Sequence, residues 1–201
     1  MATRTITRLY DTYDEAAKAV RALEAAGVPH ADISVVGSGH DDASGRADEA
    51  AADAGSGAGI GATLGTLVGG GAGLLAGIGA LAIPGVGPVV AAGWLVAALT
   101  GAGVGAAAGG LLGSLTGAGV SEEDAHVYAE GVRRGGAVLS ARVEETEAAR
   151  LEAVLAGGGH VDVAARRAEY QSEGWNRFDP AAPAYTASDI QAERKRRVRV
   201  S

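Results

Sequence analysis

The sequence predicts an α+β protein: a four-stranded antiparallel sheet with helices on one face, interrupted between its second and third strands by a long Gly/Ala-rich helical hairpin. Three observations carry this. Stretches with strand alternation and stretches with helical spacing follow one another at both ends of the chain. From Ala54 to Ser121 there is no Asp, Glu, Lys, Arg or His. Within that uncharged stretch glycine recurs every fourth residue, as Gly57, Gly61, Gly65, Gly69, Gly73 and Gly77, and again as Gly101, Gly105, Gly109, Gly113 and Gly117, led in by Gly93 and Ala97.

Thr3 to Tyr10 mixes Thr, Ile, Leu and Tyr with polar residues and reads as the first strand. Thr12-Tyr13-Asp14-Glu15 is a capping box, with Thr at the N-cap and Glu three residues on. The helix it opens carries Ala16, Ala17, Val20 and Leu23 on one face and stops at Gly27. Ala31 to Val36 is the second strand. Gly37 to Asp53 is polar and acidic, a connector or a helix feeding the hairpin. Beyond the hairpin, Ser121-Glu122-Glu123-Asp124 caps a further helix, with its acids at the favourable end of the dipole. Ala137 to Val143 alternates as the third strand, Glu144 to Leu155 is a charged helix ended by Gly157-Gly158-Gly159, and His160 to Ala165 reads as the fourth strand.

With the hairpin and its exit helix set aside, the order is β-α-β-β-α-β, the ferredoxin-like pattern. The expected organisation is then a ferredoxin-like sheet domain from residues 1–40 and 121–168, an acidic connector at 41–56, the glycine-zipper hairpin at 57–119 and a tail at 169–201. The opening LYDTYDEAAKAVRALEAAGVPHADISVVG resembles the bacterial heat-induced or general stress protein domain. There a strand, an aromatic-Asp pair, a helix, a glycine and a DISVV strand recur, often before a glycine-zipper segment. The resemblance is close over about 40 residues and elsewhere follows element order alone. It implies a stress-associated protein and transfers no catalytic residue.

Glycine is a poor helix former, and eleven of them cost on the order of 10 kcal/mol against alanine. Packing must compensate. Positions i and i+4 share a face, so a row of glycines lets another backbone approach very closely, at an oblique GxxxG-type crossing. Leu64, Leu67, Val68, Leu74, Leu75, Ile78 and Leu81 clothe the first arm, and Val89, Val90, Leu95, Val96, Leu99, Leu111, Leu112 and Leu115 the second, so both arms are apolar all round and expected to be buried. Ile83-Pro84-Gly85-Val86-Gly87-Pro88 is the turn between them. Each arm, at about 39 Å or more, is long enough for a bilayer. Glycine and alanine leave its apolarity marginal on an insertion scale.

The expectation is therefore a homo-oligomer built through the zipper, inserted in or attached to a membrane, with the globular domain cytoplasmic. The alternative is a soluble, large homo-oligomeric particle with hairpins packed inside it, located in the cytoplasm. A third reading is a small regulatory module whose sheet domain binds a ligand or partner. The opening MATRTITRLYDTYDE has no apolar run of signal-peptide length, so a cytosolic start is expected.

In the tail, Trp175, Phe178 and Tyr185 concentrate aromatics in a chain whose aromatic content is 4%. With Pro180 and no helical period they suggest a peptide that docks extended in a groove of its own or a neighbouring domain. Glu193 to Val200 is a basic cluster suited to anionic headgroups or to acidic patches such as Asp41 to Asp53.

The residues suggest no chemistry. The net charge of −7 and pI near 5.1 argue against a nucleic-acid partner. Absence of cysteine removes disulfides and Cys-based zinc sites. His30, His40, His126 and His160 share no ligand spacing, and His40 beside Asp41 and Asp42 reads as an acidic loop, so no metal is expected. No lysine lies between Lys18 and Lys195, so Gly69-Gly70-Gly71 is not a phosphate loop. Ser38, Ser56, Ser114 and Ser140 lack a nucleophile elbow. The arms hold no ionisable relay for a pump or carrier. The expectation is no enzyme, no cofactor and no small-molecule substrate.

Overall fold

A computed structural model describes residues 2–38, 79–83, 86–95 and 110–198. Strand β1 (Thr3–Tyr10) runs into α1 (Tyr13–Ala25), whose start is fixed by the Thr12/Glu15 capping box. The Thr12 hydroxyl accepts from the Glu15 amide and the Glu15 carboxylate from the Thr12 amide, each at 3.2 Å. A 3-10 turn at His30–Asp32 leads into β2 (Ile33–Ser38). Strands β3 (Gly79–Ile83) and β4 (Gly87–Ala92) follow, then α2 (Gly110–Gly117), α3 (Glu122–Arg133), β5 (Ala137–Glu144), α4 (Glu145–Ala156), α5 (Val163–Ser172) and α6 (Ala187–Val198).

The sheet is wholly antiparallel, in the order β1-β5-β2-β4-β3. β5 lies between β1 and β2, pairing Thr3 with Glu144 through Tyr10 with Ala137 on one side, and Ile33 with Ala141 through Gly37 with Ala137 on the other. Alternation along β5 sends its side chains to opposite faces. Ala137, Leu139, Ala141 and Val143 join Ile6, Ile33 and Val35 beneath α1 and α4, through Val20, Leu23, Leu151 and Leu155. Val138, with Leu9, Val36, Val89 and Leu95, faces α2 and α3, through Leu111, Leu115, Ala129 and Val132. On that second face a hydroxyl pair, Thr7 Oγ1 and Ser140 Oγ at 3.2 Å, satisfies two buried polar groups. Beside it the Ser34 hydroxyl donates to the Ala92 carbonyl and accepts from the Leu95 amide.

The α+β class and the antiparallel sheet agree with the sequence reading, and β5 lies between β1 and β2, the two strands that α1 connects. Helices cover both faces of the sheet, where the sequence reading placed them on one, and two further expectations are corrected. His160 to Ala165 is not a fourth strand. The Val161 amide donates one hydrogen bond to the Leu9 carbonyl at the sheet edge, and then Asp162 caps α5 through the Ala165 amide at 2.7 Å. A capping Asp before Val-Ala-Ala-Arg-Arg-Ala-Glu favours a helix over a strand. The second correction concerns the hairpin. The chain reverses between Ile83 and Gly87 as expected, but the flanking segments are strands, and β4 pairs with β2 from Val35↔Ala92 to Ser38↔Val89. Pro84 and Pro88 break helices, and β-branched Ile83, Val89 and Val90 favour a pleated backbone. The expected tip of a membrane hairpin is thus tied into the sheet. Among the described residues no helix is long and apolar enough to cross a membrane.

Candidate functional site

Two places gather the residues singled out by the sequence. The first is the short helix α2. Leu111 and Leu115 point into the core between α2, α3 and the sheet. Gly113 and Gly117, one turn apart, are exposed on the other side. A Cβ built at either would meet nothing within 4 Å among the described residues. Gly93, by contrast, lies in a bend after β4 with φ of +91°, and a Cβ there would stand 2.2 Å from the Ile33 carbonyl oxygen. It does permit close backbone approach, to a strand rather than to a helix. Gly57, Gly61, Gly65, Gly69, Gly73, Gly77, Gly101, Gly105 and Gly109 lie outside the described residues, as does the acidic connector.

The second place is the tail, which folds back on its own chain. Phe178 is buried with the α3 cluster. Trp175 sits edge-on to Tyr170 at 5.5 Å, and Tyr185 lies under the Arg133 and Arg134 guanidinium groups at 5.4 and 5.8 Å. The expected extended peptide ends in a helix, α6, because its few apolar residues gave no period while its charges pair across turns.

Those charges form one network. Glu130, fully buried on α3, accepts at Oε1 from Arg133 Nη2 and Arg134 Nε, both at 2.7 Å. Arg134 reaches onward with Nη1 to Glu173 Oε2 at 2.5 Å and Glu193 Oε1 at 3.2 Å, and lies over the Tyr170 ring at 4.1 Å. Arg196 pairs with Glu173 at 2.9 Å and also with Glu193. Asp11, at the β1–α1 junction, is gripped by both Arg166 Nη atoms at 2.7 and 3.1 Å and by Arg197 at 2.6 Å. Arg194 donates to the Gly135 carbonyl at 2.9 Å. Burial pushes the Asp11 carboxyl up, but Arg166 and Arg197 outweigh it and hold it below the ordinary carboxylate value. Burial disfavours the Arg134 cation, and the hydrogen bonds it donates to Glu173 and Glu130 more than reverse this, raising its pKa.

The basic cluster is therefore turned inward in part, onto carboxylates of its own chain. Glu169, Glu173 and Glu193 bring carboxylate oxygens within 4.8 Å of one another. Arg134, Arg166, Arg196 and Arg197 already neutralise them, so they form an ion-pair hub and not a cation cradle. Sequence reasoning missed Asp11, Glu130, Arg134 and Glu193. The four-residue spacings Glu130/Arg134 and Glu193/Arg197 were the available signal.

Asp11, following Tyr10 at the end of β1, also lies in the motif that carried the resemblance. Residues 5–75 match the heat induced stress protein YflT domain. No curated protein and no solved structure matches the chain. The YflT match covers about a third of the chain, and its described part, 5–38, supplies β1, α1, β2 and Asp11. β5, α3 and the arginine-bearing tail that completes the Asp11 site all lie outside the YflT-matched residues.

Proposed function

We propose that this chain is a stress-associated protein that acts by associating with copies of itself, without catalysis, and that the glycine-rich segment is its contact surface. One observation carries the reading: α2 buries Leu111 and Leu115 yet presents Gly113 and Gly117 outward on an open face. In a helix that serves its own fold alone, those positions favour alanine or a polar helix former, since each glycine costs about 1 kcal/mol. Bare backbone at i and i+4 is useful where a second helix comes close. The stress association rests on the description of the matched domain. The pairing of β4 with β2 favours assembly without lipid, because it holds the middle of the uncharged segment in the sheet.

Sedimentation velocity without detergent tests this. The parent is expected to run as a defined oligomer, and Gly113→Leu and Gly117→Leu as monomers with an unchanged circular dichroism spectrum. A monomeric parent, or variants that keep the parent's mass, would refute the reading.

A further inference from the structure

The C-terminal helix is attached differently from the others. α1 and α4 each bury a row of apolar residues against the sheet, among them Val20, Leu23, Leu151 and Leu155. Among the described side chains of α6, Ile190 is the buried apolar one, and it packs where a Cβ on Gly135 would lie 2.3 Å from its Cγ2. Four polar contacts also hold α6: Arg194 to the Gly135 carbonyl, Glu193 to Arg134, Arg196 to Glu173 and Arg197 to Asp11. The partners at the rim are open to solvent, with side-chain exposures of 50% for Arg196, 39% for Asp11 and 26% for Glu173, while Arg134 and Glu193 at 5% and Arg197 at 11% lie beneath them. Counterions reach such pairs, and the screening length falls from about 10 Å at 0.1 M salt to about 3 Å at 1 M. An element with few buried apolar contacts also belongs to the least stable part of a fold.

We propose that α6 is a releasable strap, which lifts from the α3–β5 turn and from α5 as a unit when its arginine pairs are screened, while the sheet and the helices on both of its faces stay folded. Lifting it uncovers Asp11, the Gly135 carbonyl and the flank of α5 around Glu169, a surface shaped to hold arginine side chains. Control of that surface by salt is a property separate from self-association through α2.

Amide hydrogen exchange on the full chain, read at about 0.05 M and 1 M NaCl, tests this with β5 as the internal reference. Amides of residues 190–198 are expected to exchange about tenfold faster at high salt, with β5 changed by less than about twofold. Arg197→Gln and Asp11→Asn should each produce a similar acceleration at low salt and flatten the salt response. Either variant suffices if the other does not fold. Strap amides that exchange at the rate of β5, or that ignore salt in the parent, would overturn the proposal.

Discussion

Asp11 ties three parts of the chain together at one carboxylate: the β1–α1 junction, α5 through Arg166 and α6 through Arg197. Removing its charge leaves Arg166, buried to 8% exposure, without its bidentate partner. A fully buried pair broken from one side costs about 3–5 kcal/mol. Because Asp11 is itself 39% exposed, Asp11→Asn is expected to cost about 1–2 kcal/mol by urea denaturation at neutral pH. The pH dependence has a definite sign. The folded carboxyl titrates below its ordinary value, so its stabilisation is complete above about pH 4 and lost as pH falls through the lower folded value. The gap between parent and variant should therefore stay level from neutral pH down to about 4 and close below that. A gap that closed between pH 5 and 7 would show that another group holds the tail.

The elements differ in how far their residues announced them. β1, α1, α3, β5 and α4 lie within a residue or two of expectation because Thr12, Ser121 and the glycines after each helix are strong local stops. β3 and β4 escaped notice since Gly, Ala and Val without charge give the same apolar pattern to a strand and to a buried helix. There the prolines and β-branched residues were the better guide. α6 was missed for the opposite reason, having too few apolar residues to show a period. Of the candidate sites, the glycine face was legible as a repeat, whereas the Asp11 hub joins residues far apart in sequence and becomes visible once the chain is folded. Two glycines test the distinction between open and crowded positions. Gly113→Ala should raise the unfolding free energy of the unassociated chain by about 0.5–1 kcal/mol, since the helix gains and nothing is displaced. Gly93→Ala should lower it by 2 kcal/mol or more, on the order of strained backbone, because its φ is left-handed and its Cβ would strike the Ile33 carbonyl. Thermal or urea unfolding of the two variants checks both, and equal shifts would contradict the geometry.

At the scale of the whole molecule, two helical layers enclose one sheet, and the tail closes one flank by ion pairs rather than by a second core. Phe178 is its main apolar anchor, buried among α3 residues. Phe178→Ala should cost about 3 kcal/mol, at the low end for an aromatic truncation, and Trp175 fluorescence, read with Trp94 replaced by Phe, should report the loosened tail. An unchanged midpoint would mean that the ion pairs suffice alone. The place of β5 between β1 and β2 has a further consequence, for synthesis. β1 and β2 never touch as strands, because each pairs with β5, whose residues leave the ribosome about a hundred positions later. β1, the earliest-made strand, must wait for a partner made far later in the chain, and a nascent chain halted before that point can pair β2 with β4 and β4 with β3 but leaves β1 outside the sheet.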